Sequence, residues 1–400
     1  MSEGMRVQPD LAFIEYLKGA GGDTLKKCFQ CATCSVVCPL ASDEKPFPRK
    51  EMIWAQWGLK DKLIADPDVL LCHQCGDCTA YCPRGAKPGD VLGAIRAYAY
   101  THYGFPKGLA NLCASGKNLP ILIAIPALII GVVWLLSGGM HLPEAVREAG
   151  FSHFFGEGMV GPLTKNVFLI DLIFLPTVAF SIFAAYRGVS AMWKAMAANL
   201  GGTPSYRPSV VQFVQEFLWP AVVEILQHKR FNECGANQNR VKGHLPVLLS
   251  FIGLFIVTNY AFVVKDIIGY FVEGLHGPIA FWNPVKILAN VSAIALIVGI
   301  GILWSNRKQM EAEGRAAATF YDWFLIWEIM AVGITGFGAE IFRLLGLALP
   351  AYLLYYCHLV AVMMLFLYMP YTKFAHMVYR TFAMAFERYR ESAFVKPVGE

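Results

Sequence analysis

Hydrophobic and polar positions divide the chain into a polar head and an apolar body. The first hundred positions contain many charged residues, whereas long and almost uncharged runs begin at Leu119. Each run has nearly the ~20 residues that an α-helix needs to cross a bilayer. The runs cover residues 119–137, 167–186, 245–264, 285–304, 321–345 and 350–370. The pattern therefore predicts a body of six transmembrane helices.

The head shows no convincing alternation of apolar and polar residues, so strands are not expected there. Residues 8–18 and 90–103 have the pattern of short helices, and residues 46–65 that of a helical insert that opens with proline. We therefore predict an all-α protein with an α-helical ferredoxin domain at 1–105, a linker at 106–118, a six-helix membrane domain at 119–380 and a tail at 381–400.

Composition and charge agree with a membrane location. Hydrophobic residues make up 56% of the chain and charged residues 16%, which is too apolar for an ordinary soluble protein. The net charge of +5 is small for this length, so nucleic acid is not an expected partner. Residues 1–27 lack the continuous apolar core of a secretory signal.

Loop charges predict how the body is oriented. Fifteen Lys and Arg residues lie in 187–243, 305–319 and 371–400, against five in 138–166, 265–286 and 340–350. Positive residues are enriched in loops on the cytoplasmic side. The expectation is a multi-pass protein of the inner, cytoplasmic membrane, with the head and both termini in the cytoplasm.

Eight cysteines in the head form two runs with the same spacing, C-x2-C-x2-C-x3-C, each followed by proline. In such runs three thiolates bind one [4Fe-4S] cluster, and the fourth binds the neighbouring cluster. The predicted ligands of the first cluster are Cys28, Cys31, Cys34 and Cys82. Those of the second are Cys72, Cys75, Cys78 and Cys38. A pair of structural zinc sites is the alternative, although zinc modules usually use separated C-x2-C pairs.

Histidines in the body suggest b-type haem, whose iron takes axial imidazoles from facing helices. His358 and His376 are eighteen residues apart, which on one continuous helix would place both on the same face, ~27 Å apart. His244 begins the third span at the depth expected for His376, so we pair these two at an inner haem. An outer haem would use His358.

The second ligand of the outer haem stays open. His276 is preferred because Gly274, Gly277 and Pro278 would let its loop fold back into the bundle, while His153 and His141 are the alternatives. Two further histidines, His102 and His228, have the positions of interfacial residues, and His73 is expected to cover or tune its cluster.

Three other features outside the head are open to a functional or a structural interpretation. Asp171 and Glu328 are costly in lipid and should face the bundle interior, where either a proton-accepting role or simple hydrogen bonding would explain them. Residues 210–228 predict an interfacial helix or, alternatively, a wall of a quinone pocket. The isolated Cys113, Cys234 and Cys357 are expected to be ordinary packing residues.

Parts of the head beyond the cysteines resemble the family of heterodisulfide-reductase C subunits. The resemblance lies in residues 23–28, 38–40, 46–52, 71–75 and 82–85. Joined to a body that contains Tyr-Thr-Lys-Phe-Ala-His at 371–376, nearly the whole chain resembles the membrane subunits of quinone-interacting oxidoreductase complexes of sulfate-reducing microbes. The body is also similar to the gamma subunit of respiratory nitrate reductase, except that its other haem helix lacks a second histidine.

The resemblance implies a redox subunit that works with two soluble flavin and iron-sulfur subunits. It implies that electrons pass from menaquinol through b haems and the two clusters towards adenylylsulfate reductase. The same cofactors in a quinol-linked heterodisulfide-type reductase or a sulfite-reduction complex are the nearest alternative. A zinc-headed membrane anchor without redox function and a haem-based sensor are alternatives of a different class.

Overall fold

The structure is a computed structural model that describes residues 8–139, 142–151, 154–155, 166–200, 204–232, 238–272, 275 and 278–393. Within these ranges the regular elements are helices, and none of the described residues lies in a strand. The predicted all-α class is thus confirmed for the part of the chain that is described.

In the described part of the head, seven α-helices surround the two cysteine runs. Several start at a clear cap: the Asp10 carboxylate accepts from the amide of Phe13 at 2.9 Å, and Asp66 caps the helix that opens with Pro67. The bounds are Leu11–Leu17 (α1), Thr33–Val36 (α2), Arg49–Gln56 (α3), Lys60–Ile64 (α4), Pro67–Leu71 (α5), Asp77–Ala80 (α6) and Pro88–Tyr103 (α7).

Six helices in the described ranges are long and apolar enough to cross a membrane, and they coincide with the six predicted runs. The candidate spans are Gly116–Leu136, Leu169–Leu200, Arg240–Ile268, Pro284–Ala312, Phe320–Leu344 and Ala348–Tyr368. The corresponding helices are Leu119–Leu136 (α9), Asn166–Leu200 (α11), Gln238–Tyr260 (α14, continued by a π-helical segment to Ile268), Pro284–Ala312 (α16), Phe320–Leu344 (α17) and Ala348–Tyr368 (α18).

The shorter helices of the body connect these spans. Residues 210–226 form a nearly continuous helix, as the sequence predicts, and a capping box between Ser209 and Gln212 begins it. The predicted linker is itself partly helical. The bounds are Lys107–Cys113 (α8), Val146–Ala149 (α10), Val210–Phe213 (α12), Trp219–Leu226 (α13), Gly269–Phe271 (α15) and His376–Ala393 (α19).

The prediction of one continuous helix from His358 to His376 was wrong. Helix α18 ends at Tyr368, and α19 begins at His376 after a turn and a short 3-10 segment. Pro370 explains the break, because proline has no amide hydrogen to donate and its ring clashes with the preceding helical turn. The shared face and the ~27 Å separation that we derived from one helix therefore do not apply.

Small residues let α14 and α16 approach closely. A Cβ added to Gly243 would lie 3.0 Å from the carbonyl oxygen of Gly299, and one added to Gly253 would collide with Ser292. Such residues are typical of helix pairs in membranes, where packing rather than the hydrophobic effect drives association. This crossing fixes the helix that carries His244.

The head packs directly on the bundle. A buried apolar cluster joins Tyr100 and Tyr103 of α7 to Met192 of α11 and Phe386 of α19. Each such side chain contributes roughly 1.5–3 kcal/mol when fully buried. Polar contacts add to it: Arg315 forms an ion pair with Asp77 at 2.7 Å. The two cysteine runs are thereby held at a fixed place relative to the membrane helices.

Candidate cofactor sites

Both cysteine runs adopt the same backbone conformation. Gln30 and Ala32 in the first run have φ of 60° and 67°, and the equivalent Gln74 and Gly76 in the second have 52° and 83°. A short helix follows at the same position in each, α2 and α6. Repeated left-handed residues curl each run around one point and direct its cysteines inward, which is what a shared metal centre requires.

The first thiol group comprises Cys28, Cys31, Cys34 and Cys82. Burial raises the pKa of Cys34 to about 11, and the adjacent Cys28, Cys82 and Cys31 raise it further. Cys82 comes from the second run, so the neighbours of Cys34 include the ligand that the motif predicts. A bound cation would stabilise the thiolate form of Cys34.

The second thiol group comprises Cys38, Cys72, Cys75 and Cys78, which line one small pocket with Phe47 and Leu92. Burial raises the pKa of Cys38 to about 12, and Cys72 and Cys75 act in the same direction. Val37, Leu40, Phe47 and Leu92 supply its apolar lining, and His73, Gln74 and Asp77 also border it. It matches the donor set of an iron-sulfur cluster.

The spacing of the sulfur atoms argues against mononuclear metal. Among the described residues, only the head carboxylates Glu51, Asp66 and Asp68 form a group whose ligand atoms all lie within 4.8 Å of one another. Zinc–sulfur bonds of about 2.3 Å would bring four tetrahedral ligands to roughly 3.8 Å from each other. No three of the described thiols therefore have sulfur atoms that all lie as close together as the ligands of a zinc site.

Hydrogen bonds to sulfur surround both groups. Such bonds tune the reduction potential of iron-sulfur clusters. Each measures 3.4 Å: Gln30 Nε2 to Cys28, the Gln74 amide to Cys72, and the Ala86 amide to Cys82.

The two groups differ in exposure. Cys31 of the first group is exposed, and beside it Phe29 and Tyr81 are 66% and 64% exposed. Cys34 and Cys78 are both buried, and none of the four cysteines of the second group is exposed. The first group thus lies at the outer surface of the head, and the second lies towards the membrane body.

A cavity of about 1230 Å³ lies between the second thiol group and the bundle, and we call it the histidine cavity. It reaches from Cys72 at one end to Val247 and Phe251 of α14 at the other. Four histidines line it: His73, His228, His244 and His376. Its volume exceeds that of most small-ligand pockets, so it can accept a group the size of a porphyrin.

His244 and His376, the predicted inner pair, both line this cavity. The Nδ1 of His376 lies 2.6 Å from the carbonyl oxygen of Lys373, which can only accept, so Nδ1 carries the proton. The lone pair then lies on Nε2. Burial lowers the pKa of His376 to about 4, so the ring is neutral at neutral pH, as a metal ligand must be.

His228, which its position in the sequence predicts to be interfacial, lines this cavity. It is only 4% exposed, and its Nε2 lies 2.8 Å from Nδ1 of His244. The aromatic ring of Phe231 packs on both imidazoles. In the sequence, only the position of His228 after a predicted helix pointed to its role in the cavity.

The lining of the histidine cavity fits an anionic group. Arg380, one helical turn after His376, lines the cavity and has no hydrogen bond or ion pair with any residue that the structure describes. The Nη2 of Arg96 is also buried there without a hydrogen-bond partner among the described residues. Guanidinium groups bind carboxylates well. His244 and His376, with two guanidinium groups that pair with no carboxylate among the described residues, therefore fit a haem, whose propionates are carboxylates.

Contacts at the mouth of the cavity connect the second cysteine run to the bundle. Arg240 of α14 donates to the carbonyl oxygens of His73 and Gln74, and Lys373 donates to the Gln74 side chain at 3.3 Å. Lys373 also pairs with Asp322 of α17. The charge of this lysine is thus balanced within the protein.

His358 occupies a separate position between α18 and α17. Its Nδ1 lies 3.1 Å from the carbonyl oxygen of Val332, which again leaves Nε2 as the atom with a lone pair. The ring lies against Gly336, where an added Cβ would be 2.7 Å from Cε1. The predicted partners His276, His153 and His141 all lie outside the described residues.

The two acidic residues of the spans and the isolated cysteines differ in burial. Glu328 is buried in the bundle and Asp171 is half-buried, and each has one carboxylate oxygen without a hydrogen-bond partner among the described residues. Cys113 is buried and Cys357 is exposed. Cys234 lies outside the described residues.

Comparisons with known proteins agree with the geometry of the head. Residues 24–86 match the family described as a 4Fe-4S dicluster domain. The chain is 42% identical over 88 residues to the C subunit of the H(2):CoB-CoM heterodisulfide,ferredoxin reductase of Methanothermobacter marburgensis, which is 22% of this chain and 47% of that protein. The chain thus spans about half the length of the first relatives that it matches.

Citrate utilization protein B of Escherichia coli is similar over a longer stretch, with 26% identity across 323 residues, 78% of each chain. No solved structure matches the chain.

A further relative shows the family. The chain is 33% identical over 129 residues to the iron-sulfur C 2 subunit of the CoB--CoM heterodisulfide reductase of Methanocaldococcus jannaschii, covering 32% of this chain and 67% of the relative. These relatives are redox subunits, and they support iron-sulfur electron transfer by this chain. Through its iron-sulfur head, the chain belongs to the family of heterodisulfide-reductase C subunits.

Proposed function

We propose that this chain is the membrane subunit of a quinone-linked oxidoreductase complex, carrying electrons between menaquinol in the bilayer and a soluble partner at the head. The observation that carries the proposal is the position of the histidine cavity. One wall includes Cys72 of the second thiol group, and the other includes His244 and His376. A cofactor between these walls is adjacent to both the membrane and the head.

Each thiol group would hold one [4Fe-4S] cluster, and Nε2 of His244 and of His376 would hold a b-type haem. These groups supply one-electron chemistry when bound. The protein would supply two imidazoles, guanidinium groups that pair with no carboxylate among the described residues, and eight thiols in two groups. A second haem at His358, with His276 as its other ligand, completes the proposed set.

The three proposed cofactor sites follow one another from the membrane bundle to the surface of the head. The histidine cavity borders the bundle, the second thiol group borders the cavity, and the first thiol group reaches the surface beside Phe29 and Tyr81. A soluble partner would therefore exchange electrons at the first group. Two flavin and iron-sulfur subunits, with adenylylsulfate reductase downstream in dissimilatory sulfate reduction, are the partners that the family resemblance supports.

Sidedness is part of the proposal. The excess of Lys and Arg in 187–243, 305–319 and 371–400 supports a cytoplasmic head and cytoplasmic termini in the inner membrane. A head on this side would meet soluble partners in the cytoplasm.

The similarity to Citrate utilization protein B over 78% of the chain favours a second candidate, in which the same head and bundle serve a different soluble partner, in citrate utilization. The two candidates share all cofactor sites. Proteins that copurify with the native chain distinguish them.

The proposal is tested with detergent-purified full chain mixed anaerobically with a reduced menaquinone analogue. We expect the absorbance of b haem and of the clusters to change to the reduced form within the mixing experiment. The His376→Ala variant should lose inner haem and reduce its clusters at least tenfold more slowly. His102→Ala is the matched control, because His102 does not line the cavity. Equal cluster reduction in both variants would contradict the proposal.

A further inference from the structure

His228 and His244 form a hydrogen-bonded pair at the edge of the histidine cavity. The Nε2 of His228 lies 2.8 Å from Nδ1 of His244, and the ring centroids are 5.0 Å apart with the planes at 68°. The two residues are sixteen positions apart, on either side of the connection between α13 and α14. The contact is therefore tertiary.

The direction of this hydrogen bond follows from a second contact. The Nδ1 of His228 lies 3.2 Å from the carbonyl oxygen of Leu226, which can only accept. In a neutral ring the proton of His228 is then on Nδ1, and Nε2 accepts from Nδ1–H of His244. His244 is left with its lone pair on Nε2, the atom available to a metal.

The backbone conformation at His228 favours glycine, so a histidine at this position needs a further explanation. Its φ is 52°, in the left-handed region just after the end of α13, where glycine is the usual residue. A residue with a side chain costs roughly 1–2 kcal/mol in this conformation. Glycine would end the helix without this cost, so the backbone alone does not account for a buried histidine here.

Ion pairs hold the segment in place. Arg230, two residues after His228, pairs with Glu387 of α19 at 2.8 Å and with Glu224 of α13. Glu224 also pairs with Arg388 of α19. This network fastens the turn that carries His228 to the helix that begins with His376, so all three imidazoles keep their relative positions.

We propose that His228 is the positioning residue of His244: its Nε2 accepts a hydrogen bond from Nδ1–H of His244 and so directs Nε2 of His244 towards the cavity. The inference rests on the proposed haem at that site. Partners of this kind fix the tautomer of a metal-binding histidine and make it a stronger donor. A stronger donor stabilises ferric iron, so the acceptor lowers the reduction potential.

Three variants of the full chain separate this role from a structural one. His228→Gly keeps the left-handed backbone and removes the ring. His228→Asn also tolerates this backbone, and its amide oxygen can accept from His244. His244→Ala removes the proposed ligand. Each is assayed for haem content, for haem potential by optical titration, and for ferric haem by low-temperature EPR.

We expect His228→Gly to retain haem with about 10- to 100-fold weaker affinity, a higher potential and a broadened EPR signal. His228→Asn should restore much of both properties, and His244→Ala should lose the inner haem. Wild-type spectra and affinity in His228→Gly would show that His228 only ends a helix. Haem loss in His228→Gly but not in His244→Ala would show that His228 is itself the ligand.

The same assays distinguish failure of the proposed function from failure of the positioning role. If the wild-type chain binds no haem at this cavity, the function proposal fails first. If the wild type binds haem and His228→Gly matches it in all three assays, only the positioning role is overturned.

Discussion

The guanidinium of Arg240 donates a hydrogen bond to the backbone carbonyl of His73, at 2.9 Å. His73 lies between the first two cysteines of the second run, and Arg240 lies four residues before His244 on α14. One side chain thus connects a membrane helix to the loop of the second thiol group. The distance between the proposed inner haem and its neighbouring cluster depends on this contact.

Removing this contact should loosen the cysteine loop. In Arg240→Ala the carbonyls of His73 and Gln74 lose their donor, which costs roughly 1–3 kcal/mol. Amide hydrogen exchange at residues 72–76 should accelerate at least tenfold, measured by mass spectrometry on the purified chain. Lys242→Ala is the control, since Lys242 is exposed on the same helix. Unchanged exchange in Arg240→Ala would mean that the loop is held by the head alone.

The fourth cysteine of each run lies with the first three of the other run, and this arrangement gives a second prediction. Cys82→Ser should change the same EPR signal as Cys31→Ser, although these cysteines belong to different runs. Likewise, Cys38→Ser should match Cys75→Ser. The reason is that each fourth cysteine lies with the other run's three. If Cys82→Ser instead matches Cys75→Ser, each run binds its own cluster.

Arg380 supplies a third prediction. If its guanidinium binds a propionate, Arg380→Ala should weaken haem retention by roughly 10- to 100-fold, the value of one hydrogen bond to a charged group. Retention is measured as haem transfer to an apoprotein acceptor. Lys194→Ala, an exposed cation on α11, should leave the rate unchanged. Equal rates in both variants would remove Arg380 from the site.

The position of His358 depends on the absence of a side chain at Gly336. In Gly336→Ala the new Cβ would be 2.7 Å from Cε1 of His358, so the ring must move away from the Val332 carbonyl. We expect a loss of about 1–3 kcal/mol in stability, seen as a lower Tm, and loss of any haem bound at His358. Gly301→Ala has open space around the new methyl group and should behave as wild type.

The carboxylates of the head predict a pH dependence. Burial and the nearby Asp66 raise the pKa of Glu51 to about 9, above its ordinary 4.5. The folded head therefore binds this proton more tightly than the unfolded chain, and stability should fall as pH rises from 4.5 to 9, by at most about 1.4 kcal/mol per pH unit. In Glu51→Gln this slope should be reduced in chemical denaturation followed by cluster absorbance. An identical slope would show that Glu51 is already ionised.

Local sequence patterns predicted much of this architecture. The cysteine spacing predicted two similar loops, and the apolar runs predicted six long helices. Both depend on neighbouring residues only, and the structure has both. The break between α18 and α19 had a local signal as well, because Pro370 lies between His358 and His376. The eighteen-residue spacing alone predicts one continuous helix, which is wrong because α18 ends before Pro370.

The histidine cavity could not be predicted from local patterns. The turn that carries His228 is joined to α19 by the ion pair of Arg230 with Glu387, which is distant in sequence. Likewise, nothing in the sequence around Arg240 indicates that it binds the carbonyl of His73.

The most direct test of the account is the cofactor content of the detergent-purified full chain, by metal and haem analysis with optical and low-temperature EPR spectra before and after a reduced menaquinol analogue. The account predicts about eight non-haem irons per chain, b-haem bands, and reduction of both by the quinol. Zinc in place of iron, with no haem bands, would contradict it.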